Sequence, residues 1–203
     1  PDGDERDKDV ANAIRYAADN GARVINMSFG KSHSPNKDVV DEAVMYAESK
    51  GVLLVHAAGN DSKDVDVKDN FPTPRYLNGK TCSTWLEIGA SDNSLDHLSA
   101  DFSNYGDKTV DIYAPGVDIY ATILDNEFGP LSGTSMASPV TAGVAASILS
   151  YYPNLTAKEV RDIIIKSGIS YKKHKVVMPG DEEKKIKFGK LSKTGKVVNL
   201  YEA

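Results

Sequence analysis

Apolar residues at Val10, Ala13, Ile14, Ala17 and Ala18 recur at the three-and-four spacing of one helix face. Asp9 stands where an N-cap belongs, and Asn20-Gly21 supplies the stop. Val24 to Gly30 follows as a short strand-like run ended by glycine, and a second helix over Lys37 to Ser49 carries Val40, Ala43, Val44 and Ala47 on one face before Gly51. Val52 to Ala58 is almost continuously apolar, the signature of a strand buried on both faces. Strand and helix alternate, which predicts an α/β fold with a parallel sheet under covering helices.

The middle of the chain breaks this rhythm. Asp61 to Lys80 is polar, contains Pro72 and Pro74, and reads as a long surface excursion before a strand at Trp85 to Ala90. Val110 to Ala114 and Asp118 to Ile123 are further strand candidates divided by the turn signal Pro115-Gly116. Ser135 to Ser150 reads as a helix so poor in charge that burial is expected. Thr156 and Glu159 have capping-box spacing ahead of a last helix over Ala157 to Lys166, and the lysine-rich tail after Ser170 reads as short strands or loop crossing the surface.

Composition narrows the classes. At 203 residues the chain fits one domain, with a core over about 10–166 and a tail over 167–203. Hydrophobic residues at 40% and charged residues at 26% describe a globular protein, and a net charge of −5 with scattered basic residues gives no electrostatic footprint for nucleic acid. No apolar run approaches the roughly 20 residues of a membrane-spanning helix. Cys82, the only cysteine, cannot form an internal disulfide.

Candidate chemistry centres on the stretch LSGTSMASPVTAG, Leu131 to Gly143. Taken alone, Ser135 reads as an N-terminal residue of a buried helix, where a hydroxyl caps backbone N–H groups. Two strands that end in glycine beside a polar residue extend this reading, because ligands of parallel sheets gather at the carboxyl ends of strands. Asn60, closing Ala57-Ala58-Gly59-Asn60, is either an amide donor for a developing oxyanion or a turn asparagine. Ser28-Phe29-Gly30 is either a backbone edge for an extended peptide or an ordinary strand exit.

Together these segments resemble the subtilisin-like serine proteases, the subtilase family. GTSMASP at Gly133 to Pro139 is similar to the family's nucleophile motif, VINMSFG at Val24 to Gly30 to its substrate-binding strand, and AAGN at Ala57 to Asn60 to its oxyanion strand. FSNYG at Phe102 to Gly106 and YAPG at Tyr113 to Gly116 fall in the family's order, and the closing GKVVNLYEA is similar to the end of many members. The resemblance implies a three-layer α/β fold around a parallel sheet, incomplete here because N-terminal strands are missing. It implies Ser135 as acylated nucleophile, Asn60 and the Ser135 N–H as oxyanion donors, Thr134 as an auxiliary, and Ser28, Phe29, Gly30, Ala57, Ala58 and Gly59 as substrate-binding residues. Val140 stands where the family commonly has histidine, inside the helix beyond the nucleophile, so altered packing is expected there.

A serine nucleophile needs a histidine base held by a carboxylate. The family's HGTHVAG-like histidine segment is absent, and His33, His56, His97 and His174 lack its motif; His56, within a strand, reads as a satisfied core histidine. The expectation is that the chain is the C-terminal part of a catalytic domain whose Asp and His precede Pro1, inactive alone. The Val24–Phe29 strand would then be an uncovered sheet edge, prone to self-association or to pairing with the missing N-terminal segment. A catalytically silent peptide-binding or scaffold domain is the alternative. An α/β-hydrolase order, Ser135 then Asp162 or Asp181 then histidine, is a weaker third reading, because Gly133-Thr134-Ser135-Met136-Ala137 lacks the closing glycine of G-x-S-x-G and the only histidine after Asp162, His174, precedes Asp181. Calcium and secretion are family habits. Asp61, Asp64, Asp66 and Asp69 lack the spacing of a dedicated calcium loop, so no metal site is assigned and no cofactor is expected.

Overall fold

The structure, a computed structural model, describes residues 5–203. Helix α1 (Asp7–Asp19) leads into β1 (Val24–Met27), α2 (Lys37–Ser49) into β2 (Leu53–Ala57), and β3 (Trp85–Ser91) and β4 (Ile112–Pro115) follow. These four strands are parallel and adjacent in chain order. Beyond β4 the hairpin β5 (Ile119–Thr122) and β6 (Phe128–Leu131) stands off the main sheet and feeds α3 (Thr134–Tyr151), then α4 (Ala157–Ser167). The tail holds β7 (Ile169–Ser170), the hairpin β8 (Lys175–Met178) and β9 (Asp181–Lys187), and β10 (Lys196–Val197). The main sheet runs β1-β2-β3-β4-β10-β7, with β10 parallel to β4 and antiparallel to β7.

The alternation of side chains along β2 makes the layers. Leu53 and Val55 face α3 and α4 in one core with Leu86, Ile88, Ala145, Ile148 and Val160. Leu54 faces α1 and α2 in another core with Ile14, Met27, Val44 and Trp85. Two helix layers thus sandwich the sheet, and every residue of β2 and β3 is buried. The expected parallel α/β sheet is present.

Four details depart from the sequence reading. Helix α1 starts two residues before Asp9, with Arg6 as N-cap; Asp7 is drawn inward instead, accepting from the Asn36 N–H at 2.8 Å and Ser34 Oγ at 2.9 Å and pairing with Lys31 at 2.9 Å. Burial works to raise the Asp7 carboxyl, but these donors outweigh it and hold it below its usual range. The segment between β2 and β3 is no simple surface excursion, since Val65, Pro72, Thr73 and Tyr76 are buried. Helix α3 buries one face only; Gly143 and Ala146 are exposed, and Val140 packs half-buried against the core. The tail does not merely cross the surface. Val176, Phe188 and Leu191 are fully buried with Tyr113 in a third core, which closes the β4 side of the sheet.

The capping box at α4 is formed as its spacing predicts: Glu159 N–H donates to Thr156 Oγ1, and the Glu159 carboxylate accepts from the Thr156 N–H at 2.8 Å. No helix among the described residues is long and apolar enough to cross a membrane.

Candidate active site

Proline shapes the start of α3. Pro139 has no N–H, so the Ser135 carbonyl four residues earlier is left without its helical donor. Ser28, just beyond β1, donates its hydroxyl to that carbonyl at 2.8 Å. In return Ser135 Oγ donates to the Ser28 carbonyl at 3.3 Å. Asn26 Nδ2 donates to Ser28 Oγ at 2.9 Å, and Ser138 Oγ donates to Asn26 Oδ1 at 2.7 Å. The exit of β1 and the first turn of α3 are therefore clasped by short polar side chains, and Ser135 stays half-buried at the junction.

Asn60 reaches the same turn from the end of β2. Its Oδ1 accepts from the Thr134 N–H at 2.8 Å and from Thr134 Oγ1 at 2.9 Å, while Thr134 Oγ1 accepts from the Gly59 N–H at 3.0 Å. This fixes the orientation of the Asn60 amide, with the carbonyl turned to the helix and the NH2 turned outward. A methyl group placed on Gly133 would lie 3.4 Å from Asn60 Nδ2 and 3.6 Å from the Ser135 nitrogen. Both donors therefore border one small space, and neither makes a hydrogen bond among the described residues. Two unspent N–H groups at a helix N-terminus are the arrangement that stabilises a developing oxyanion.

The other sequence-predicted residues lie beside this turn. Ala57 and Ala58 are buried, and their carbonyls accept from Asn70 Nδ2 at 3.1 Å and Asn104 Nδ2 at 2.8 Å. Asn104 Oδ1 in turn accepts from the Asp61 and Lys63 N–H groups at 3.0 and 2.9 Å, holding the turn after Asn60. Any side chain at Gly30 would collide with Asn70, 2.4 Å away, and any at Gly59, which has φ +99°, with Asn104 at the same distance. A pocket of 560 Å³ opens here, bordered by Gly30, Asp61, Lys68, Asn70 and Asn104. Asn70 and Asn104 escaped the sequence reading. Asn104 lay within the FSNYG match, whereas nothing local marks Asn70 except its place before the Phe71-Pro72 peptide.

The loop carboxylates find protein partners: Asp66 accepts from the Lys108 N–H at 2.9 Å, Asp64 from the Asp66 N–H at 2.9 Å, Asp61 pairs with Lys63 at 3.4 Å, and Asp69 pairs with Arg75.

The histidines do not reach the serine. His33 and His97 are exposed, and His174 Nε2 donates to the Leu95 carbonyl at 2.9 Å. His56 is fully buried, with Nδ1 2.9 Å from Glu87 Oε1 and Nε2 2.9 Å from the Phe29 carbonyl. Ser135 Oγ meets the Ser28 carbonyl and no ring nitrogen.

The sequence profile described as the subtilase family matches residues 1–195, and the chain belongs to that family. It is 46% identical over 143 residues to the thermophilic serine proteinase of Bacillus sp. (strain AK1), covering 70% of this chain and 32% of that protein. It is 36% identical over 153 residues to subtilisin DY of Bacillus licheniformis, covering 75% and 52%. Among solved structures it is similar to the patellamide maturation protease PatA, with TM-score 0.73, 27% identity and coverage of 97% of this chain and 66% of that one. It also resembles a cold-adapted subtilisin-like serine proteinase, with TM-score 0.70, 29% identity and coverage of 98% and 61%. The chain spans about a third to a half of the length of these two curated relatives.

Proposed function

We propose that the chain is the serine-bearing, C-terminal part of a subtilisin-like catalytic domain that cleaves peptide bonds through an acyl-enzyme on Ser135. The observation that carries this is the convergence of Asn60 Nδ2 and the Ser135 N–H on the space beside Gly133. In this reading Ser135 Oγ attacks the scissile carbonyl, the two donors hold the oxyanion, and Thr134 keeps the Asn60 amide turned outward. Ser28 to Gly30 takes the substrate backbone as an added strand, and Ala57 to Gly59 flank the residue before the scissile bond, beside the pocket that Gly30, Asn70 and Asn104 border. The proton on Ser135 needs a base. The four histidines are each placed elsewhere, which supports a histidine and aspartate contributed by an N-terminal segment of the same catalytic domain. That segment would also lie against the free side of β1; without it, self-association through the Val24–Phe29 edge is expected. The same reading makes the protein secreted, periplasmic or displayed at the cell surface, which a leader in the full coding sequence would support.

The test is a fluorophosphonate probe with peptide substrates, applied to the full-length gene product and to the 203-residue chain. Labelling at Ser135 and hydrolysis are expected from the former and not from the latter, and Ser135→Ala abolishes both. Asn60→Ala should lower turnover by about 10²–10³-fold, the size known from loss of the equivalent donor in a subtilisin. Robust hydrolysis by the 203-residue chain alone would overturn the missing-base argument. An unreactive full-length product that still binds peptides would favour a catalytically silent binding domain.

A further inference from the structure

His56 is a fully buried group that the proposed reaction leaves unused. It projects from β2 onto the face of the sheet opposite α3, between Phe29 and Trp85, with ring centroids 6.4 and 5.3 Å away. Glu87, the neighbouring residue on β3 in the sheet register, lies 2.9 and 3.1 Å from Nδ1 through its two oxygens and also accepts from Trp85 Nε1 at 2.8 Å. The carboxylate is thereby fixed from two sides. A carbonyl can only accept, so the 2.9 Å contact from Nε2 to the Phe29 oxygen requires a proton on Nε2. A polar pair in the middle of two apolar strands is costly unless every atom is matched, and here every atom is.

What this pair holds is the peptide plane between Phe29 and Gly30. A trans peptide is flat, so its C=O and N–H point in opposite directions. With the Phe29 carbonyl turned inward to His56, the Gly30 N–H must point away from the buried pair. Gly30 is exposed, and its N–H makes no hydrogen bond among the described residues, although the next residue, Lys31, pairs in both directions with Phe71. We infer that His56, anchored on Glu87, is a positioning residue that aims the Gly30 N–H at the backbone of a bound peptide. Without it the Phe29–Gly30 plane is free to rotate, and the edge loses its oriented donor. This inference rests on the proposed role of Ser28 to Gly30 in binding peptide.

Two amide variants separate positioning from packing. His56→Gln places its NH2 near the position of Nε2 and keeps a donor to Phe29, whereas His56→Asn reaches only toward Glu87. The probe is acetyl-tetra-alanine amide, titrated into the ¹⁵N-labelled full-length product, with Ser135→Ala common to every variant so that the probe is not hydrolysed, while the Gly30 amide resonance is followed. Where His56 is unsubstituted, that resonance shifts to saturation. His56→Gln should bind within about twofold of it, and His56→Asn about three- to tenfold more weakly, the range of one hydrogen bond. A probe whose facing carbonyl is reduced to methylene should lose the same factor against the unsubstituted chain and lose nothing further against His56→Asn. Equal affinity of folded His56→Asn and His56→Gln overturns the role of His56 while leaving peptide binding intact. Absence of a Gly30 shift in the unsubstituted chain overturns the peptide-binding role of this edge itself, and the inference with it.

Discussion

At one flank of the sheet, β4 pairs with β10, β10 pairs with the two-residue β7, and behind them Tyr113, Phe188, Leu191 and Val176 fill an apolar core. At the other flank β1 pairs with β2 alone among the described residues, and a groove of 340 Å³ runs along its free side between Ala13, Ile14, Ile25 and Phe29. The closed flank is held by non-directional burial, aided by the Tyr113–Phe188 ring contact at 4.9 Å. The open flank is held at its site end by directed bonds among Asn26, Ser28, Thr134, Ser138 and Asn60. Burial fixes a segment without leaving polar groups to spare. A directed network can fix one oxygen of an amide and leave its NH2 outward, as at Asn60, and that is what a site requires.

The contrast can be broken where it is largest. Phe188→Ala should cost about 3–5 kcal/mol in denaturant unfolding, the usual range for removing a buried phenylalanine ring. A loss below about 1 kcal/mol would mean that the tail is a loose cover and not a core. Thr134→Val keeps shape but removes the hydroxyl that donates to Asn60 and accepts from Gly59. It should cost about 1–3 kcal/mol, since the half-buried Gly59 N–H loses its acceptor and Asn60 Oδ1 one of its donors. If its unfolding is unchanged, the directed network does not stabilise the open flank. The smallest effect concerns the edge itself: light scattering of the 203-residue chain should show a concentration-dependent rise in mass. A constant monomer mass up to high concentration would count against an edge that seeks a partner.

Legibility in the sequence followed the range of the interactions. Helix α2 was readable to its ends, and the α4 capping box to the residue, because both depend on neighbours three and four positions apart. Asp9 reads as a cap in the sequence and is none in the structure, because Asp7, which takes distant partners at Lys31, Ser34 and Asn36, looks the same locally. The short strands of the tail are legible in its sequence, but its buried residues are not, for a similar reason. Val176, Phe188 and Leu191 follow no helical or strand period, and their burial comes from contact with Tyr113 and Val110, more than sixty residues away. At the candidate site, Ser135 and Asn60 stand out through short motifs. The asparagines that take the Ala57 and Ala58 carbonyls did not, since Asn70 and Asn104 are ordinary polar residues until the sheet brings them there.

By itself the sequence determined the alternating β/α rhythm, the apolar run that becomes β2, and a helix in which Pro139 leaves the Ser135 carbonyl without a donor. Those features are local, set by side-chain period and backbone chemistry. Only the tertiary structure decided that Ser28 would supply that donor, that Thr134 would turn the Asn60 amide outward, and that His56 would meet Glu87 across two strands. Each joins residues between 31 and 107 positions apart, and the parallel sheet brings them within hydrogen-bonding distance by aligning the carboxyl ends and registers of its strands.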